Sequence, residues 1–531
     1  GAPASGPTSV HQTSASISLS WSAPASDGDS GADATGYRLY NVAGEAPALL
    51  FEGAETAYEQ VELSAGTSYS YAVSAVSGAG ESPSTSALVQ YTAPAAPTGL
   101  VSSAWTTTGF AVTWVAPAVG NGPAVDGYTL YERVTYAMSD VAAASGVPSS
   151  ALQTMLSENT DTVVVDTVAY DGRGDTAVST TLSGLSGGVS YDYVVAARSS
   201  AGEGARSAAL SVSTSPPAPG SLASVSQTTS SITLSWSAPV VTTGSAVTGY
   251  KLYIDDGSSG DPSAEVSCGG AALDTTCTAS GLTGGVSYSF EVSALSTNGE
   301  SVTSSVLTQS TAPAVVAASG MVFSSVAMTS MVLTWSAPSG ETPTGYIVYR
   351  DDGDSTAMPT PSIVAFEGDA LTTTVDGLTG GTTYTYMVEA LSGSGVGDVS
   401  GESAQSTTPA SPLDLSSVSQ TSTSISLSWS ASVVSSGSAV TSYQVYRNDG
   451  SSAEASLSGT AAHTTADGST TTATLSGLSA GMLYSFAVSA VSDAGEGELS
   501  SVLAQSSAPG APASGPTSVH QTSASISLSW S

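Results

Sequence analysis

Positive charge is what this chain lacks most. Among 531 residues there is one lysine, Lys251, and seven arginines, against 43 acidic side chains, for a formal net charge of -35. Nucleic acid and anionic membrane surfaces are bound through clusters of Lys and Arg, so both are excluded as partners. Histidine is nearly as scarce: His11, His463 and His520 are too few and too scattered to assemble a Ser/His/Asp or Cys/His catalytic set, and no enzymatic activity is expected. Two cysteines, Cys268 and Cys277, cannot make a zinc site without further ligands nearby. No Asn-x-Ser/Thr sequon occurs, so any glycan is O-linked, and no transmembrane run is visible. Charged residues of both signs are only 10% of the chain, against about 25% in ordinary domains. The solvent faces must therefore be covered by Ser, Thr, Ala and Gly.

What is present is repetition, on two scales. Gly1 to Ser22 recurs letter for letter as Gly510 to Ser531, a period of 509 residues, as expected of a window on a longer tandem array. Within it a shorter motif returns at Ser16 to Trp21, Ser231 to Trp236 and Ser424 to Trp429, with looser copies at Phe110 to Trp114 and Met331 to Trp335. With the closing copy Ile526 to Trp530, the motif tryptophans Trp21, Trp114, Trp236, Trp335, Trp429 and Trp530 are separated by 93, 122, 99, 94 and 101 residues, so five domains make one unit.

Each copy alternates apolar and small polar residues with period two, the pattern of a half-buried strand. A second strand follows: Gly36 to Tyr40, Gly127 to Tyr131, Gly249 to Tyr253, Gly345 to Tyr349 and Ser442 to Tyr446. A leucine then precedes a tyrosine by six residues, at Leu63 and Tyr69, Leu185 and Tyr191, Leu282 and Tyr288, Leu378 and Tyr384, and Leu478 and Tyr484. That spacing suits a tyrosine corner, in which a buried ring returns its hydroxyl to nearby backbone. All-β, seven-stranded antiparallel sandwiches are predicted over 1–95, 96–216, 217–312, 313–411 and 412–509, with 510–531 opening the next.

The tryptophan on the second strand, the G-Y-x-h-Y strand and the L-x5-Y corner resemble fibronectin type III modules, in all five domains. An immunoglobulin domain would place its tryptophan on the third strand against a disulfide, and no cysteine pair sits at such positions. The resemblance implies a linear array of sandwiches and leaves function open, because this module serves adhesion, signalling and spacer roles.

Several local features carry alternatives. The acidity reads as solubility in a saline medium or as surface calcium binding, for which Asp27-Gly28-Asp29-Ser30-Gly31-Ala32-Asp33 is the best local loop, though it lacks the closing glutamate of an EF-hand. Asp351-Asp352-Gly353-Asp354 and Asn448-Asp449-Gly450 read as tight hairpin turns. No metal site, catalytic residue or cofactor-binding residue is assigned. Cys268 and Cys277 flank a Gly-Gly turn and form either a local disulfide or two buried thiols. The proline-rich junctions, such as Thr92 to Pro97 and Ser215 to Pro219, are semi-rigid spacers; their Ala-Pro, Ser-Pro and Thr-Pro pairs also resemble the O-glycosylated modules of plants and green algae.

The second domain spends 63 residues between Tyr128 and Tyr191, where the others spend 32 to 41. In the extra stretch Pro148 precedes a short predicted helix with an apolar stripe at Leu152, Met155 and Leu156, followed by a strand from Asp161 to Val168. The insertion either caps its own sandwich or is a packing element for a neighbouring rod. Arg173-Gly174-Asp175 is the tripeptide by which some fibronectin-like modules engage integrins, but those carry it between their last two strands, here Ser199 to Gly204. Residues 510–531 supply only two strands, which either continue into a further domain or complete another copy by strand addition.

The expectation is an extracellular structural rod on a cell or flagellar surface, self-associating with other copies or with other filament proteins. It would form the shaft of a filament, in particular a flagellar hair (mastigoneme), an analogy with large protist surface proteins. The alternative is the spacer of a giant adhesin.

Overall fold

The structure is a computed structural model that describes residues 1–25, 33–137, 162–255, 261–268, 270–353, 363–448, 457 and 460–530. Among these the only helical element is the single turn Ala318–Gly320. Everything else is antiparallel sheet and connecting loop, in five sandwiches and a closing hairpin.

The first domain serves for all. Its strands are β1 (Ser5–Gln12), β2 (Ile17–Ser22), β3 (Gly36–Asn41), β4 (Ala48–Gly53), β5 (Ala57–Gln60), β6 (Ser68–Ser77), β7 (Gly80–Glu81) and β8 (Leu88–Tyr91). One sheet is ordered β1-β2-β5, the other β4-β3-β6-β7, with β8 also pairing to β6. β7 and β8 are two pieces of one last strand, so the count is the seven of the predicted sandwich.

Period two becomes burial directly. Ile17, Leu19 and Trp21 are buried while the serines between them face outward, and Ile232, Leu234 and Trp236 or Ile425, Leu427 and Trp429 repeat this. In every domain the tryptophan meets the first tyrosine of the following strand edge to face. Trp21 and Tyr37, Trp114 and Tyr128, Trp236 and Tyr250, Trp335 and Tyr346, and Trp429 and Tyr443 lie 5.3 to 5.9 Å apart between ring centroids. That geometry is worth about 0.5–1.5 kcal/mol beyond the area it buries. Each pair anchors a separate core, one per domain.

The tyrosine corner is present five times, with the hydroxyl as acceptor. The backbone N–H of Ser64, Ser186, Thr283, Thr379 and Ser479 donates to the hydroxyl of Tyr69, Tyr191, Tyr288, Tyr384 and Tyr484 at 2.9 to 3.0 Å. It fixes the corner between the strand equivalent to β5 and that equivalent to β6.

The second domain departs where its length does. Thr162–Arg173 pairs with Gly127–Ala137 from Gly127 opposite Arg173 to Ala137 opposite Thr162, far longer than β4 against β3. The strand expected at Asp161 to Val168 therefore begins at Thr162 and runs five residues further. The predicted helix with Leu152, Met155 and Leu156 lies outside the described residues, as do residues 27–32 of the acidic loop.

The hairpin reading of the Asp351-Asp352-Gly353-Asp354 site is corrected: Arg350 pairs with Ile363, so no two-residue turn joins these strands, whereas Asp449 and Gly450 of the other site lie outside the described residues. Asp351 is buried, and its Oδ1 accepts N–H groups from Gly353 and Thr385. Asn448 accepts from Ser485, and Asp255 of the third domain accepts from Ser289. These side chains tie the end of the tyrosine strand to the start of its neighbour, using the buried carboxylate or amide as an acceptor for strand N–H groups that would otherwise lack a partner.

Replacing Tyr288 by Phe keeps the ring and removes the corner hydrogen bond. The third domain is expected to lose about 1–2 kcal/mol, read as a lower melting transition for that domain alone; an unchanged transition would show that the corner is ornamental.

Candidate functional site at the domain joints

The corner turn carries one glycine with positive φ in every domain: Gly66, Gly188, Gly285, Gly381 and Gly481, at +59° to +71°. Only glycine adopts this conformation without strain. Its N–H donates to the junction residue Ala93, Ser215, Ala312, Thr408 or Ala508 at 2.8 to 3.1 Å. The residue before each of these is a threonine or serine that pins the turn a second time. The hydroxyls of Thr92, Thr214, Thr311, Thr407 and Ser507 donate to the carbonyls of Ser64, Ser186, Thr283, Thr379 and Ser479 at 2.6 to 2.7 Å.

So pinned, the turn presents its glycine carbonyl to the domain that follows. Gly66 accepts N–H groups from Gly120 and Gly122, Gly188 from Gly244, Gly285 from Glu341, and Gly381 from Ser435 and Gly437, at 2.6 to 3.1 Å. All these donors lie in the loop after the tryptophan strand of the next domain. The same loop returns a side-chain acceptor: Ser68 N–H to Asn121 Oδ1, Ser190 N–H to Thr243 Oγ1 and Thr383 N–H to Ser436 Oγ, each spanning 53 residues. At the third joint Gly340, at φ +101°, holds the corresponding place and offers no side chain.

A second contact braces two of the joints. At the second, Thr107 Oγ1 donates to the Pro216 carbonyl and accepts from Val302 N–H, both at 3.2 Å, and Ser215 Oγ donates to the Asn298 carbonyl at 2.7 Å. At the third, Thr229 Oγ1 donates to the Asp398 carboxylate. Here the hairpin between the last two strands of one domain rests on the first turn of the domain before it. Two separated contacts on a short proline-bearing linker resist both bending and twisting, which one contact does not.

The pattern for the fibronectin type III domain matches this chain over residues 1–91, 95–213, 216–310, 316–407 and 410–506. This chain belongs to the fibronectin type III family. Among curated proteins it is similar to Endoglucanase B of Cellulomonas fimi, 31% identical over 319 residues that are 57% of this chain and 26% of the relative. Exoglucanase B of the same organism is 32% identical over 307 residues, 53% of this chain and 24% of its own length. Chitinase A1 of Niallia circulans is 36% identical over 181 residues, 32% and 22% respectively. The chain thus spans about a quarter of the length of the curated relatives it matches. A crystal structure of the chicken CNTN1 FN1-FN3 domains covers 59% of this chain and 99% of its own, at 16% identity and a TM-score of 0.23.

Charge is segregated between the two sheets of these fibronectin type III domains. Every one of the eight basic residues lies on a strand of a larger sheet, and the described strands of the three-stranded sheets contain none. Arg38 pairs with Glu52 and Glu81, Lys251 with Glu265 and Glu300, Arg198 with Glu203, and Arg133 and Arg206 both with Asp166. The second tyrosine of the G-Y-x-h-Y strand joins in: Tyr40, Tyr131, Tyr253 and Tyr446 donate to Glu81, Glu203, Glu300 and Glu496 at 2.5 to 2.7 Å. In the fourth domain Val396 replaces that glutamate, and Tyr349 donates instead to Glu389 on the neighbouring strand at 2.8 Å. The carboxylate has moved strands and kept its tyrosine. Burial, followed by that carboxylate, pushes the Tyr349 and Tyr446 phenols up to about 12.

The remaining candidates fall elsewhere. Cys268 and Cys277 are joined as a disulfide that bridges the third domain's loop to a core strand. Arg173 ends the long strand Thr162–Arg173, and Gly174 and Asp175 begin the turn after it, a different loop from the hairpin at Ser199–Gly202, although Arg173 and Arg198 both lie opposite Gly127 at the same end of the sheet. The Asp175 carboxylate accepts from Tyr170 and from Ala177 N–H, so its oxygens are engaged within the turn. Among the described residues no group of three or more His, Cys, Asp or Glu comes together, and no helix is long and apolar enough to cross a membrane.

Two outcomes are expected. Gly244 has ordinary φ, yet a Cβ there would come within 2.5 Å of the Gly188 backbone; Gly244→Ala should leave the melting of the third domain unchanged while broadening the angle between domains two and three, read by small-angle scattering. The Arg133 hydrogen bond and charge, then the Arg206 charge, hold the Asp166 carboxyl below the usual carboxylate range against the opposing effect of burial. A depressed folded value stabilises above about pH 4 and is lost as pH falls through it. The second domain should therefore lose melting temperature as pH falls below about 4, and an Asp166→Asn variant, already weaker at pH 7, should lose less over the same fall.

Proposed function

We propose that this chain is a non-catalytic extracellular spacer, a stiff acidic rod that forms the shaft of a cell-surface filament by tandem repetition of its five-domain unit. The observation that carries this reading is the joint: the same glycine carbonyl meets the same loop of the following domain at all four boundaries. A chain of independent domains needs no such register. The large negative charge supports the reading by keeping long neutral-faced rods from associating without order, and the disulfide suits an oxidising compartment. A flagellar hair (mastigoneme) is the specific form proposed, because its shaft needs long, stiff, repeated segments.

A second reading is favoured by the relatives. An endoglucanase, an exoglucanase and a chitinase match this chain over about a quarter of their length, so the array also suits a spacer that holds separate functional domains apart, in an enzyme or an adhesin.

Both readings need a rod, and small-angle scattering of the 531-residue chain checks it. With strand rises of ~3.3 Å per residue and about 30 Å per domain, five domains should give a maximum dimension of roughly 150 Å or more with rod-like scattering. A compact or coil-like profile would remove the basis for either. Electron microscopy of the native material then separates them: ordered fibres favour the shaft, isolated strings the spacer.

A further inference from the structure

The chain has five asparagines, and two of them, Asn121 and Asn298, are followed by glycine. Both stand at joints. Asn121 Oδ1 accepts Ser68 N–H at 2.9 Å across the first joint, and the Asn298 carbonyl accepts Ser215 Oγ at 2.7 Å at the second. Asparagine is a thermolabile residue, and most so before glycine, which has no side chain to keep its backbone nitrogen from the asparagine amide carbon. At the first joint that glycine is required by close packing, since a Cβ on Gly122 would collide with the Gly66 carbonyl. The asparagine is not required. Thr243 and Ser436 supply the same acceptor at the second and fourth joints with a hydroxyl, which has no amide to react.

The first joint also has the least in reserve. At the other three, the glycine of the hairpin between the last two strands lies against the preceding junction: Gly299 beside Ser215, Gly395 beside Ala312 and Gly495 beside Thr408. A Cβ on their counterpart, Gly202, would meet no described atom within 4 Å. The hydrogen bonds that hold domain two to domain one are those at Gly66 and Ser68.

We propose that Asn121 is a deamidation site whose conversion releases the first joint irreversibly and turns it into a hinge. The Gly122 nitrogen gives up its proton to hydroxide and attacks Asn121 Cγ. A bond forms between them, the bond from Cγ to the side-chain nitrogen breaks, and that nitrogen takes a proton from water and leaves as ammonia. Water then opens the resulting succinimide at either carbonyl, to aspartate or, in greater part, to isoaspartate. Asn121 is exposed, so water reaches it. In the closed joint Gly122 N–H is held by the Gly66 carbonyl at 2.9 Å and the Asn121 side chain by Ser68, so the attack waits on local opening. Aspartate keeps an acceptor for Ser68. Isoaspartate lengthens the main chain by one carbon, which carries Gly122 N–H away from Gly66 and sets a carboxylate beside that carbonyl oxygen. Conversion of Asn298 removes only a brace, because Gly188 and Gly244 still hold the second joint. The inference rests on the joints as the source of stiffness in the spacer reading, and adds a covalent step by which one joint of the unit is lost with age.

Ageing the 531-residue chain in mildly alkaline buffer tests it, with spin labels at the exposed positions Val10 and Val101. Peptide mass spectrometry should find isoaspartate at Asn121, and the interdomain distance, narrow in fresh protein, should broaden in step with it. Asn121→Ser, which keeps the kind of acceptor that Ser436 provides, should stay narrow over the same period, and so should Asn121→Asp. Gly66→Ala, which forces a side chain onto φ +59° in the turn, should open the joint and raise the Asn121 rate several-fold with the Asn298 rate unchanged. Isoaspartate at Asn121 with an unchanged distance, or a rate that Gly66→Ala leaves unaltered, would overturn the proposal. So would an Asn121 that stays intact while a free peptide of residues 116–126 converts. A distance already broad in fresh protein would remove the joint itself, and the stiff-rod reading with it.

Discussion

One backbone carbonyl per domain, held out by a glycine that alone tolerates its conformation, is what converts a string of sandwiches into a continuous object. The turn that bears it is over-determined: a tyrosine hydroxyl takes the N–H at its start, a threonine or serine hydroxyl from the junction holds the carbonyl of the same residue, and the glycine N–H reaches the junction backbone. Each bond is worth only about 0.5–1.5 kcal/mol net. Their value is geometric, since they fix the direction in which the glycine carbonyl points before the next domain arrives. The junction threonine or serine belongs to both systems. It closes one domain's last strand and shapes the surface on which the following domain is seated.

Electrostatics is arranged to leave that geometry alone. With eight basic and 43 acidic residues, an unpaired cation on a joint surface would draw neighbouring rods into irregular contact. The cations are instead confined to the larger sheets, mostly in pairs with glutamate or aspartate, and the joints are built from hydroxyl, amide and backbone groups, with the Asp398 carboxylate at the third joint accepting from a neutral hydroxyl. Neutral hydrogen bonds are insensitive to salt, whereas exposed ion pairs weaken as it rises. A joint held by salt bridges would loosen as salt rises, whereas one held by neutral hydrogen bonds would not.

The fold was readable because its signals are local. Alternation at Ile17, Leu19 and Trp21 names a strand and its buried face, and a leucine six residues before Tyr288 names a corner, without knowledge of anything distant. The joints were not readable for the opposite reason. Their donors are backbone N–H groups, and the side chains that help are Asn121, Thr243 and Ser436, which share only a short polar acceptor. The junction sequences do hold a sign, a hydroxyl residue two places before a proline at Thr92, Thr214, Thr311, Thr407 and Ser507, but a proline there signals linker stiffness more strongly than the hydroxyl signals a contact. Asp351 and Asn448 misled similarly. Asp-Gly and Asn-Asp-Gly suggest tight turns, yet these side chains face inward as acceptors for a neighbouring strand.

The most direct measurement of the central claim is the distance distribution between spin labels on adjacent domains, at the exposed positions Val225 and Val322. Pulsed dipolar spectroscopy should give one narrow distance, unchanged between low and high salt, if hydrogen-bonded joints hold neighbouring domains in a single orientation. A broad distribution, or one that widens with salt, would mean that the domains swing on their linkers and that the repeated carbonyl contact does not govern the shape of the array.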